Sequence, residues 1–166
     1  ALRAYWTAKK GVYVPGGRYS VGDNSDRGIS GPNWEIDLKP YFIEIEEVSR
    51  VDYRKFLNSL QVDGHKNCHP DEPRGLTHHP ERRQAGDGPV AWVSWWDACA
   101  YAGWKGARLP SEMEFEVAAG YDMSAKSRRS YPWGDAYGRG EGGSYFGLLG
   151  LDNDVQEWTS SDYTAY

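Results

Sequence analysis

Two short stretches carry their own start and stop signals, and they limit the fold more than any other feature. In "VSWWDACAYAGWKG" Ser94 can accept from the amide of Asp97 while the Asp97 carboxylate reaches back, and Gly106 stands where a left-handed terminator belongs. "RLPSEMEFEVAAG" repeats the device: Ser111 and Glu114 form a capping box after Pro110, and Gly120 closes the segment. Trp95, Ala98, Cys99 and Ala102 fall at i, i+3, i+4 and i+7, which predicts an inward stripe on the first of these helices. An earlier helix is expected along "SRVDYRKFLNSL", with Ser49 as N-cap and Val51, Phe56, Leu57 and Leu60 facing inward. With only such brief helices, 20 Gly, 9 Pro, 8 Trp and 12 Tyr point to a loop-rich architecture wedged together by large rings. At 166 residues the chain suits one domain, residues 1–166.

"VYVPGGRYSVGDN" alternates apolar and polar residues on both sides of Pro15-Gly16-Gly17, the pattern of a hairpin. A surface loop over 22–33 and a further strand, "YFIEIEEV" (Tyr41 to Val48), follow. Gln61 to Gly88 has no sustained period and reads as a long loop, a kind of segment that is often functional. A net charge of -5 gives no general attraction for polyphosphate, so nucleic acid is not an expected partner. No apolar run approaches the roughly 20 residues of a membrane-spanning helix. The first residue is Ala rather than Met, which fits an exported protein, and the expected location is periplasmic or secreted.

The pieces "PGGRYSVGD", "YFIEIEEVSRVDYRKFL", "PVAWVSWWDACAYAGWKGARLPSEMEFEVAAG", "YPWGD" and "GLLGLDNDVQEWTSS" together resemble the formylglycine-generating enzyme, or sulfatase-modifying factor, family. The resemblance implies an α+β fold of the C-type-lectin-like kind, loop-rich, with short helices packed on small mixed or antiparallel sheets. It also implies a copper-dependent oxidase chemistry in which a cysteine pair exchanges with a substrate cysteine. Neither Cys68 nor Cys99 lies at the matching place, and "DVQEW" replaces the family's "NVWEW", with Asp154 for asparagine and Gln156 for tryptophan. The chain ends eight residues past Trp158, so the family's C-terminal portion is expected to be lacking.

Asp152, Asp154 and Glu157 offer carboxylate oxygens within six residues, as a Ca2+ site requires. The resemblance implies side-chain oxygens from Asp154 and Glu157 and carbonyls from Asp152 and Val155. A solvated acidic turn is the alternative. His65, Cys68, His69, His78 and His79 offer imidazole and thiolate ligands, but no recognised metal motif is present, and Gly64 and Pro70 limit any helix joining His65 to His69 to one turn. A polar loop is the expectation there, with a metal site as the minor alternative. Cys99, in an apolar helical stripe, reads as core rather than nucleophile. Tyr131, Trp133, Tyr137, Tyr145 and Phe146 lie in glycine-rich segments and could anchor a partner or plug the interior.

The expected function is a catalytically inactive binding or structural module, an accessory subunit docking on a protein partner in a larger extracytoplasmic complex. The alternatives are a fragment of a copper-dependent formylglycine-generating oxidase and a ligand-binding variable protein on the same scaffold.

Overall fold

The computed structural model describes residues 10–22, 32–73, 79, 86–136, 142–151 and 155–162. The chain divides into two compact units: Ala1–Glu46, Pro110–Asp154 and Thr159–Tyr166 form one, Glu47–Leu109 and Val155–Trp158 the other. Among the described residues no helix is long and apolar enough to cross a membrane.

The first unit is built on a two-stranded ribbon. Strands β1 (Gly11–Val14) and β2 (Gly17–Val21) do not pair with each other. Instead β1 pairs antiparallel with β4 (Tyr41–Glu44), and β2 with β3 (Trp34–Leu38). The expected hairpin about Pro15-Gly16-Gly17 is therefore corrected. Gly11 faces Glu44 and Val14 faces Tyr41, while Gly17 faces Leu38 and Val21 faces Trp34, so one register runs through both arms and places Pro15 opposite Pro40. Two residues without an N–H meet where the ladder would need donors, and it breaks there. The backbones approach closely at this point: a Cβ on Gly16 would lie 2.8 Å from Pro40 Cδ.

The break also turns the ribbon over. Val12, Val14, Tyr41 and Ile43 face the core in one arm, whereas Tyr19, Val21, Ile36 and Leu38 do so in the other, a shift of one residue in the period-2 pattern. Both faces close on Val117 and Ala118 of helix α3 (Glu112–Gly120), on Tyr121 and on Leu148. The rings of Tyr19 and Tyr121 meet edge to face, with centroids 4.8 Å apart. The Tyr41 hydroxyl donates to the Glu114 carbonyl (2.5 Å), and Gly22 N–H donates to Glu116 Oε1 (2.8 Å). The capping box expected at Ser111 and Glu114 is present.

After α3, a small hairpin of β5 (Tyr121–Asp122) and β6 (Ser127–Arg128) is tied together by one carboxylate. Asp122 Oδ1 accepts from the Ser124 hydroxyl and from the amides of Ser124 and Ala125, while Oδ2 accepts from Arg129 Nε (2.9 Å) and Nη2 (2.6 Å). The Ser124 hydroxyl first, then the Arg129 guanidinium, hold this carboxyl far below the ordinary carboxylate range.

The second unit packs α1 (Arg50–Asp63) against α2 (Trp95–Trp104). Ser49 caps α1 as expected, its hydroxyl oxygen accepting from Asp52 N–H (3.1 Å). The buried face of α1 is Tyr53 and Phe56, with Leu57 and Leu60 packed beside them; Val51, expected inside, is exposed. On α2 the buried face is Asp97, Ala100, Tyr101 and Ala102, whereas Trp95, Ala98 and Cys99 are only half-buried. The expected stripe is thus rotated, because Asp97 turns inward to a polar partner described below and brings Ala100 and Tyr101 with it. Gly106 takes a φ of 72° and ends the helix as anticipated.

Because the Asp122 pKa is depressed by folding, its stabilisation is complete above the unfolded value near 3.8 and is lost as pH falls through the lower folded value. Asp122→Asn is expected to lower the melting temperature at pH 7 and to reduce the further drop on acidification from pH 4 to pH 2, measured by circular dichroism.

Candidate functional site

Described residues of the stretch expected to be a long polar loop form a polar cluster in the second unit. After α1, Gly64 adopts a φ of 64°, and the chain makes a tight turn in which Cys68 N–H donates to His65 O (3.1 Å). That turn brings His65 and Cys68 to the same side, with Sγ 3.5 Å from His65 Nδ1. His79 arrives from eleven residues further on and places Nε2 3.0 Å from Cys68 Sγ. Its ring lies parallel to that of His65, with centroids 5.4 Å apart. It also packs edge-on against Phe56 of α1.

Two carboxylates complete the cluster. Asp97 Oδ1 lies 2.7 Å from His79 Nδ1, and Glu72 Oε1 lies 3.3 Å from His79 Nε2. His79, Asp97 and Glu72 are all buried, Cys68 is half-buried and His65 is exposed. Asp97 serves the helix as well as the cluster, since its Oδ2 accepts from both the amide and the hydroxyl of Ser94, each at 2.8 Å, which completes the capping box of α2. Burial alone would raise its pKa, but the bonds from His79 and Ser94 together outweigh that and hold it below the ordinary 3.8. An ionised carboxylate can only accept, so the His79 Nδ1–H is the donor and Nε2 is the atom turned toward Cys68 and Glu72.

The sequence singles out His65, Cys68 and His79 without a spacing that joins them, and the geometry brings the three side chains together. His65 and Cys68 are joined by a turn rather than a helix, and His79 comes from a stretch with no period to predict its path. His69 takes no part; its ring meets those of Trp95 and Trp96, with centroids 5.8 and 5.4 Å away. Glu72 is missed by sequence reasoning, and Asp97 reads there only as a cap. A carboxylate in the cap of an otherwise apolar helix start is the one available signal that a partner lies above it.

Cys99, on α2, is half-buried; burial, with a smaller contribution from Glu72, pushes its thiol pKa up. Neither cysteine is in a disulfide. Of the residues expected to hold Ca2+, Asp152 and Asp154 lie outside the described residues. Val155 is half-buried, and Glu157 keeps exposed surface although neighbouring atoms crowd its carboxyl and raise its pKa above 4.5. Of the aromatic residues in the later loops, Tyr137 lies outside the described residues, Tyr145 is exposed, and the rings of Tyr131 and Trp133 stack with centroids 5.4 Å apart.

An exposed tryptophan distinguishes the same unit. Trp92 has a φ of 60° and leaves 78% of its surface in solvent. The segment bearing it is anchored by Val90 N–H to Val48 O (2.8 Å), by Arg50 N–H to Gly88 O (3.0 Å) and by the Trp158 indole N–H to Val93 O (3.0 Å).

Residues 3–145 match the family model described as the sulfatase-modifying factor enzyme 1-like domain. The chain is 30% identical over 217 aligned residues to the inactive C-alpha-formylglycine-generating enzyme 2 of Bos taurus, covering 93% of this chain and 71% of that protein. It is 28% identical to the hercynine oxygenase of Mycolicibacterium smegmatis (strain ATCC 700084 / mc(2)155), covering 90% of this chain and 45% of that one. The structure of PvdO from Pseudomonas aeruginosa superposes with a TM-score of 0.50 at 23% identity, over 81% of this chain and 53% of the other, a likeness of fold. The chain therefore spans about half the length of the last two.

Removing Asp97 separates its two roles from that of Ser94. Asp97→Ala should cost about 3 kcal/mol or more, because it strands a buried imidazole N–H as well as the cap, whereas Ser94→Ala should cost about 1 kcal/mol. Urea denaturation of the two variants is the measurement.

Proposed function

Since the chain belongs to the sulfatase-modifying factor enzyme 1-like domain family, we propose that it serves as a non-catalytic module of the formylglycine-generating type, an accessory subunit that binds a protein partner in a larger extracytoplasmic assembly. The observation that carries this reading is Trp92. A bulky residue in the left-handed region costs about 1–2 kcal/mol, and such strain is kept where a side chain has work to do. Here the strain directs a large ring into water, where it gains nothing for the fold. Tryptophan is the residue type most often found carrying the binding energy of protein interfaces.

The thiols favour the same reading. Oxidation of a substrate cysteine by a cysteine pair needs accessible, activated thiolates. Cys99 is shielded with its pKa raised, which leaves Cys68, flanked by imidazoles, without a second activated thiol to form the pair among the described residues. The likeness to a mammalian relative named as inactive points the same way. The proposal also takes Asp152, Asp154, Val155 and Glu157 as a Ca2+ site, the raised pKa of the Glu157 carboxyl being in line with a group that gains from a cation.

Trp92→Gly should raise stability to urea by about 1 kcal/mol, since glycine relieves the left-handed strain, and should abolish co-purification of the native partner from envelope extracts. A loss of stability would show that the ring supports the fold instead. The chain supplied with copper, oxygen and a cysteine-containing peptide should give no formylglycine by mass spectrometry; turnover would establish the oxidase alternative.

Without calcium, Glu157 is more easily protonated in the folded state, so its ionisation penalises folding as pH rises from 4.5 through the raised value. In chelator at pH 7, Glu157→Gln should therefore raise the melting temperature. With calcium added the natural chain should gain and the variant should not. Equal melting of the natural chain with and without chelator would remove calcium from the proposal.

A further inference from the structure

The geometry points to a zinc site formed by His65, Cys68 and His79, with the Glu72 carboxylate as fourth ligand and Asp97 as outer support. The three nitrogen and sulfur donors lie within 4.8 Å of one another, and the exposed His65 ring, stacked on that of His79, turns about its side-chain bonds on binding so that both imidazole planes meet at the ion. Around a tetrahedral zinc ion, with Zn–S near 2.3 Å and Zn–N near 2.0–2.1 Å, neighbouring donors stand about 3.3–3.6 Å apart. Cys68 Sγ is 3.5 Å from His65 Nδ1, and Glu72 Oε1 is 3.3 Å from His79 Nε2. The 3.0 Å approach of Cys68 Sγ to His79 Nε2 would open by about half an ångström on binding.

The directions of the donors matter as much as their spacing. With Nδ1–H committed to Asp97, His79 presents Nε2 to a thiol and a carboxylate together. One ring nitrogen supports one directed hydrogen bond, so two electron-rich neighbours converging on it describe a cation position better than a proton position. A carboxylate bonded to the far nitrogen of a ligand imidazole is the arrangement that fixes tautomer and ring orientation in zinc centres. Thiolate plus imidazole also suits zinc over magnesium or calcium. The exposed His65 gives the ion a way in.

A simpler reading of Cys68, His79 and Asp97 is a thiolate activated by a histidine and a carboxylate, as in nucleophilic catalysis. That reading makes no use of His65 and Glu72, which approach the same atoms. The zinc reading uses all five residues, and it is independent of the function proposed above.

The test uses the full chain, freed of metal by chelator and titrated with Zn2+ and with Co2+ as a spectroscopic probe. One equivalent should bind, and the Co2+ form should show sulfur-to-cobalt charge transfer and the intense visible bands of a tetrahedral ion. Zn2+ should slow alkylation of Cys68, measured by peptide mass spectrometry. Cys68→Ser should abolish the charge-transfer band. His65→Ala, at an exposed position where folding is little affected, should weaken binding by more than the roughly 10- to 100-fold that loss of an outer partner costs. Cys99→Ser and His69→Ala should bind as the natural chain does. Binding unchanged by Cys68→Ser or His65→Ala, or an octahedral Co2+ spectrum, would overturn the site. So would rapid alkylation of Cys68 undiminished by saturating Zn2+, which would return it to the nucleophile reading.

Discussion

One buried carboxylate, that of Asp97, organises the second unit. One of its oxygens closes the cap that starts α2 and the other holds His79. A helix start and a functional side chain are thereby made parts of one hydrogen-bonded system, and neither can move without the other. The cost of burying such a charge is offset only because every bond is made at good distance, 2.7 Å to His79 and 2.8 Å to each Ser94 donor. The same inward turn of Asp97 explains why Ala100 and Tyr101, rather than Ala98 and Cys99, reach the core.

The local rules of capping are sufficient to locate the three helices found among the described residues. Ser49, Ser94 and Ser111 each accept from the amide three residues on, and these are interactions between neighbours in sequence. Which face of a helix is buried is less legible. An apolar stripe shows where a helix can pack, but a polar residue held by a distant partner rotates the outcome. Cys99 departs from expectation for that reason, and Val51 shows likewise that an apolar residue at helical spacing need not face the core.

The ribbon is harder to read because its information lies between segments. The alternation around Pro15 is real, and both flanking stretches are strands, yet the partner of each lies well along the chain, Tyr41–Glu44 for Gly11–Val14 and Trp34–Leu38 for Gly17–Val21. Two prolines meeting across a ladder leave no mark in either strand alone. The polar cluster is hidden for a related reason. His65 and Cys68 announce themselves by proximity, while His79 and Glu72 join them only through the path of the folded backbone. Family likeness supplies the scaffold, and it supplies no information about this cluster.

The turned-over ribbon constrains how such a chain can vary in length. Because the core-facing residues change phase at the proline pair, one residue gained or lost between Val14 and Gly17 would swing Tyr19 and Val21 outward and their polar neighbours inward. An equal change between Val21 and Trp34 would leave both arms paired as they are. Natural length variation in this ribbon should accordingly gather in the connection and spare the junction, so that gaps in an alignment of homologues would mark where the polypeptide crosses over.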